Sequence, residues 1–107
     1  MTLFRELRPG VLSLGAIDWD RRLFDALIPL PDGTSYNSYL IRGSEKTALI
    51  DAVDATMAGR LLENLRRLGT ERIDYVIAQH AEQDHSGGLP MLLQAYPQAK
   101  VLGSARC

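Results

Sequence analysis

Residues 80–88 read His80-Ala81-Glu82-Gln83-Asp84-His85-Ser86-Gly87-Gly88, and the apolar run Tyr75-Val76-Ile77-Ala78 comes just before them. Two imidazoles and two carboxylates stand within six residues, a composition of metal ligands at the end of a predicted strand. Two backbone geometries are open. In an extended or loop conformation His80, Glu82 and Asp84 fall at i, i+2 and i+4 and project to one side, because side-chain direction has a period of two. In a helix His80 and Asp84 would share a face while Glu82 pointed away. The β-branched and aromatic run before the segment and Ser86-Gly87-Gly88 after it favour the first geometry, with a helix expected only past Gly87.

A single His near a carboxylate is usually a surface residue, and Asp84 or Ser86 could simply cap the following helix. Four donors packed this tightly after a buried strand favour a metal site instead. Imidazole with carboxylates and no thiolate suits iron, manganese or zinc rather than copper or an iron–sulfur cluster. The small residues Ser86, Gly87 and Gly88 would let the backbone turn sharply and approach a bound ion closely.

Upstream, residues 55–68 carry the clearest helical pattern. Met57, Leu61, Leu65 and Leu68 recur at spacings of four, four and three, and Arg60, Glu63, Asn64 and Arg67 are assigned to the other face. Glu63 and Arg67 form an i, i+4 pair of favourable polarity, and Gly69 supplies the stop. Before this helix, residues 47–50 read as a strand ending at Asp51. Residues 35–41 read as its hairpin partner, joined through the polar turn Arg42-Gly43-Ser44-Glu45-Lys46. Asp54 is expected to cap the helix, and Asp51 lies at the carboxyl end of the strand, where open sheets place functional groups. Residues 2–16 read as two short strands around Pro9-Gly10, the first near an edge because of Arg5 and Arg8. Residues 18–33, with Pro29, Pro31 and Asp32-Gly33, read as a loop in which Trp19 and Phe24 act as anchors.

Downstream, residues 89–96 form a predicted short helix with Pro90 in its first turn, where the missing N–H has no helical partner. Residues 100–102 begin one more strand. The order of strands, hairpin, helix, strand, helix and strand makes the class α/β. A chain of 107 residues is one domain of modest size. Its net charge of -1 gives no electrostatic case for nucleic acid or an anionic membrane. No apolar run approaches the roughly 20 residues that span a bilayer. Arg5 and Glu6 interrupt any N-terminal apolar stretch, so a cytoplasmic protein is expected. The single cysteine, Cys107, is the last residue and has no internal disulfide partner.

The 80–88 segment resembles the His-x-Glu-x-Asp-His signature of the flavodiiron proteins, the diiron branch of the metallo-β-lactamase fold. Zinc hydrolases of that fold usually carry His where this chain has Glu82. The flanks Trp19-Asp20-Arg21-Arg22-Leu23-Phe24, Gly33-Thr34-Ser35-Tyr36-Asn37-Ser38-Tyr39-Leu40-Ile41 and Ala48-Leu49-Ile50-Asp51 are similar to landmarks of the same family.

The resemblance implies that residues 1–107 are the N-terminal part of a metallo-β-lactamase-like diiron domain. They would supply one mixed sheet and two helices of an αββα sandwich, with the apolar face of that sheet lacking its partner. It implies two non-haem irons, His80 and Glu82 on one and Asp84 on the other, with His85 either a ligand or a donor behind the ligands. A closed site of this kind draws a His, a bridging Asp and a further His from positions beyond 107. Asp51 would support the metal loop from behind, and Asp25 stands where many of these proteins have a His after the Phe. The implied activity is reduction of O2 to water or of NO to N2O. Electrons would pass from FMN, expected only in the full-length parent, after delivery by a donor such as rubredoxin or a flavin reductase. The parent would be a homo-oligomer, a head-to-tail dimer, and the 107-residue chain alone is expected to be inactive. A non-catalytic diiron oxygen sensor and a zinc-dependent hydrolase of the same superfamily are the alternatives, the hydrolase disfavoured by Glu82.

Overall fold

Four apolar side chains from distant parts of the sequence, Leu12, Leu40, Leu49 and Val76, stand in one row across neighbouring strands, and all are buried. The computed structural model describes residues 4–14, 16–18, 23–24, 28–29, 34–79 and 86–103, with side chains described for 4–14, 37–79 and 86–103. In chain order the strands are β1 (Arg5–Arg8), β2 (Val11–Ser13), β3 (Ala16–Asp18), β4 (Leu23–Phe24), β5 (Ile28–Pro29), β6 (Thr34–Tyr36), β7 (Tyr39–Arg42) and β8 (Thr47–Ile50). A 3₁₀ turn (Ala55–Met57) and helix α1 (Ala58–Arg67) follow, then β9 (Tyr75–Ala78), helix α2 (Leu89–Ala95) and β10 (Lys100–Gly103).

The main sheet has six strands in the order β1-β2-β7-β8-β9-β10. Its first four strands pair antiparallel, and β9 and β10 add in parallel. A parallel neighbour cannot be reached by a tight turn, so each parallel step needs a crossover, and α1 and α2 supply them. Leu61 and Leu65 of α1 and Leu92 of α2 join the buried row in one core cluster. The α/β class and the mixed sheet therefore stand as expected, with two helices among the described residues.

The other face of the sheet is much less covered. Val11, Ile41, Ala48 and Tyr75 form one row there, and Ser13, Tyr39, Ile50 and Ile77 form the next, all only partly buried. Leu102, beside Ile77 on the outer strand, is 47% exposed.

Three sequence expectations need correction. The stretch 18–33 contains paired strands: Asp18 ends β3, which pairs with β6, and β4 pairs with β5. All three ladders, β2–β7, β3–β6 and β4–β5, keep one register, since each pair of partners (Val11 and Ile41, Asp18 and Thr34, Phe24 and Ile28) is centred on the same point of the chain. Each local sequence carries loop signals, but its partner across the hairpin supplies the ladder, and a two-stranded ribbon tolerates Pro29 because one side of it is an edge. The strand expected over 35–41 is interrupted at Asn37 and Ser38, which separate β6 from β7. Asn64, assigned to the polar face of α1, is buried beside Leu61 and Leu65. The buried stripe is wider than the spacing of four, four and three, because three residues after Leu61 is still the core side of a helix.

The remaining helix signals are realised. Asp54 accepts from Thr56 N at 3.0 Å and Thr56 Oγ1 at 2.8 Å. Arg67 pairs with Glu63 at 3.2 Å in an exposed position worth only about 0.3–0.5 kcal/mol. Gly69 adopts φ 70°, and its N–H donates to Arg66 O while Thr70 N donates to Leu65 O, closing the helix in a Schellman arrangement. Arg42 of β7 adds a cation there, donating from Nη2 to Leu68 O at 2.6 Å. Pro90 sits in the first turn of α2, and β1 is an outer strand. Among the described residues no helix is long and apolar enough to cross a membrane.

Two predictions follow from this packing. Leu65 is fully buried, so Leu65→Ala should cost ~2–5 kcal/mol in urea unfolding, with a smaller loss for the half-buried Leu62. The hydrogen bond from Thr47 N–H, and after it the charges of Arg72 and Lys46, hold the Asp74 carboxyl below its ordinary range despite the opposing effect of its burial. A depressed carboxylate contributes stability that is complete above its unfolded pKa of about 3.9 and is lost as pH falls through the lower folded value. The melting temperature should therefore fall more steeply with acid below about pH 4 in the wild type than in Asp74→Asn.

Candidate metal-loop site

Strand β9 ends at Ala78, and one residue later the chain enters the stretch that holds the candidate ligands. His80, Glu82, Asp84 and His85 lie outside the described residues, as do Trp19 and Asp25. The residues on either side of the stretch are described, and both ends are tied to one short segment, residues 51–54, at the carboxyl end of β8.

At the upstream end, the buried Asp51 carboxylate accepts twice from Gln79, the residue before His80. The backbone N–H reaches Oδ1 at 2.9 Å and the side-chain Nε2 reaches Oδ2 at 3.2 Å. Hydrogen bonds to a charged acceptor are worth about 1.5–3 kcal/mol, so this pair sets the direction in which the chain leaves the sheet. At the downstream end, Gly88 N donates to Val53 O at 3.1 Å. A Cβ at Gly88 would lie 2.1 Å from Ala52 O, a backbone atom that cannot swing aside. Glycine is required there by the close approach of two backbones.

The 51–54 segment has an unusual conformation of its own. Asp51 has φ 64° and Val53 has φ 56°, both in the left-handed region. For a β-branched residue this conformation costs of order 1–3 kcal/mol and persists only where the surroundings over-determine it. Here Asp51 N donates to Ile77 O at 2.9 Å, Ser38 Oγ donates to Asp51 O at 2.8 Å, and Ala52 and Val53 are fully buried. Asp54 then caps the turn that leads into α1, as the sequence suggested.

Sequence reasoning missed Gln79, Ser38 and Val53. Nothing in the local sequence marks Val53 as left-handed, and Gln79 and Ser38 matter only through contacts 28 and 13 residues away. The helix expected past Gly87 begins at Leu89, and Ser86, ahead of the turn at Gly87 and Gly88, is itself helical. Among the described residues no three His, Cys, Asp or Glu side chains gather closely enough to hold a metal ion.

The sequence model of the metallo-beta-lactamase superfamily matches residues 31–106. The chain belongs to that superfamily. Within it, the chain is 41% identical over 99 residues to the type A flavoprotein of Rhodobacter capsulatus, covering 92% of this chain and 23% of the relative. It is 40% identical over 100 residues to a flavo-diiron protein of Clostridium acetobutylicum, covering 92% of this chain and 25% of that protein. Among solved structures, the rubredoxin oxygen:oxidoreductase of Desulfovibrio gigas superposes with a TM-score of 0.90 at 38% identity, over 97% of this chain and 26% of the other. This chain of the metallo-beta-lactamase superfamily thus spans about a quarter of the length of these relatives and corresponds to their N-terminal part.

The clamp makes two predictions. Gly88→Ala should displace the downstream end of the stretch and lower the melting temperature, because its Cβ would meet the Ala52 carbonyl oxygen. Asp51→Ala, which strips Gln79 of both acceptors, should cost about 1–3 kcal/mol in urea unfolding.

Proposed function

We propose that the chain is the metal-loop half of a diiron centre in a flavodiiron-type oxidoreductase, which reduces O2 to water or NO to N2O. The observation that carries this reading is the double clamp. A stretch containing His80, Glu82, Asp84 and His85 is held at one end by Asp51 and at the other by Gly88 against Ala52. A strained, over-determined support behind a row of nitrogen and oxygen donors is costly to build for a surface loop and suits a loop that must present ligands in a fixed direction.

The donor set fits non-haem iron. His80 and Glu82 are assigned to one iron and Asp84 to the other, with His85 as a further ligand or as a hydrogen-bond donor behind them. Glu82 is a harder ligand than the imidazole of zinc hydrolases and shifts preference towards iron. Two irons held there would supply electrons together to one diatomic molecule. This chain's own task is narrower. Asp51 orients the backbone at Gln79, the last described residue before the donors, and Gly88 lets the chain pass against Ala52 without a side chain between them.

Electron delivery is proposed to use FMN and a donor such as rubredoxin or a flavin reductase, in a homo-oligomer. The relatives' names, flavoprotein and rubredoxin oxygen:oxidoreductase, support this part. No FMN contact is assigned to the described residues. The half-exposed rows from Val11 to Tyr75 and from Ser13 to Ile77 are where the second sheet of the sandwich would pack.

Iron and zinc per polypeptide, measured on full-length protein purified without oxygen or chelator, test the reading. Near-stoichiometric iron that falls on Glu82→Ala is expected, and Glu82→His should raise the zinc-to-iron ratio. Zinc alone in the wild type would remove the oxidoreductase reading in favour of a hydrolase.

A further inference from the structure

At the opposite end of β9 from the metal loop, the starts of three parallel strands meet around one buried carboxylate. Asp74 Oδ2 accepts from Thr47 N at 2.8 Å, Asp74 N donates to Thr47 O at 2.9 Å, and Lys100 N donates to Asp74 O at 2.9 Å. Asp74 Oδ1 accepts from Arg72 Nε at 2.6 Å, with the Asp74 side chain 6% exposed and that of Arg72 71% exposed. Beside them lies a hollow of about 180 Å³ lined by Lys46, Arg72, Asp74, Tyr75, Gln98 and Lys100.

Asp74 is too enclosed to meet a ligand, and both of its oxygens are engaged. Its effect is to hold the guanidinium through Nε, leaving the two terminal nitrogens without a partner among the described residues. An arginine already fixed loses little rotamer freedom when it binds, and its planar fork matches tetrahedral oxyanions. Lys46 and Lys100 flank it as point charges. Three cations against one carboxylate leave the lining with a surplus of two positive charges. The hollow is also well below the roughly 300–1,000 Å³ of sites for drug-sized ligands, so it suits a small ion or ester.

We propose that this hollow binds a dianionic tetrahedral oxyanion of the phosphate or phosphate-monoester class. The site is separate from the metal loop and does not depend on the function assigned to that loop. Arg72 and Lys100 carry the recognition, Lys46 adds charge, and the Gln98 amide is available to a remaining ligand oxygen.

Isothermal titration calorimetry of the full chain, at fixed ionic strength in phosphate-free buffer, tests the proposal with inorganic phosphate and with glycerol 3-phosphate. Saturable binding is expected, weakened about tenfold by Arg72→Gln and by Lys100→Gln. Lys100 is exposed, so loss of binding in that variant with an unchanged melting temperature separates recognition from folding even if Arg72→Gln destabilises the protein. Tighter binding of the ester assigns the site to an ester, and tighter binding of inorganic phosphate assigns it to the free ion. No saturable binding in the wild type, or equal binding in the wild type and Lys100→Gln, would overturn the proposal.

Discussion

The Asp51 carboxylate and its two hydrogen bonds to Gln79 are the constraint on which the rest of the arrangement depends. They join the end of β8 to the exit of β9 at the point where regular pairing stops. To place that carboxylate, the backbone enters the left-handed region at Asp51 and again at Val53. The strain is offset by the Ser38 hydroxyl, by the Ile77 carbonyl, by burial of Ala52 and Val53, and by the returning chain at Gly88. Each tie is modest alone, but together they over-determine the segment.

The parallel half of the sheet gives the domain two distinct ends. Parallel strands bring all their carboxyl ends to one edge, and that is where open α/β sheets collect chemistry. The candidate ligands follow β9 at that edge. The strand starts gather at the other, around Asp74 and its cations. The antiparallel half contributes Ser38, which steadies the bend from across the sheet, and an extended ribbon in a single register.

The two faces differ for a related reason. Both crossovers carry helices on one side, so Leu12, Leu40, Leu49 and Val76 are sealed by α1 and α2. Tyr39, Ile41, Ile50 and Ile77 on the other side are only half buried. A sheet with this much apolar character on its open face is the geometry of a sandwich layer.

Much of this was legible in the sequence because it rests on local rules. Leu61 and Leu65 at helical spacing, Asp54 as a cap, Gly69 as a stop, Pro90 in a first turn and the turn after Arg42 each follow from a few neighbouring residues. The donor row from His80 to His85 was equally plain, since its chemistry is carried by residue type and spacing. Only the tertiary structure decided how that row is supported. The left-handed Val53, the grip of Asp51 on Gln79, the fit of Gly88 against Ala52 and the pairing within residues 18–33 all arise between segments remote in sequence. No local propensity encodes such contacts, because their energy exists only once the partners have been brought together.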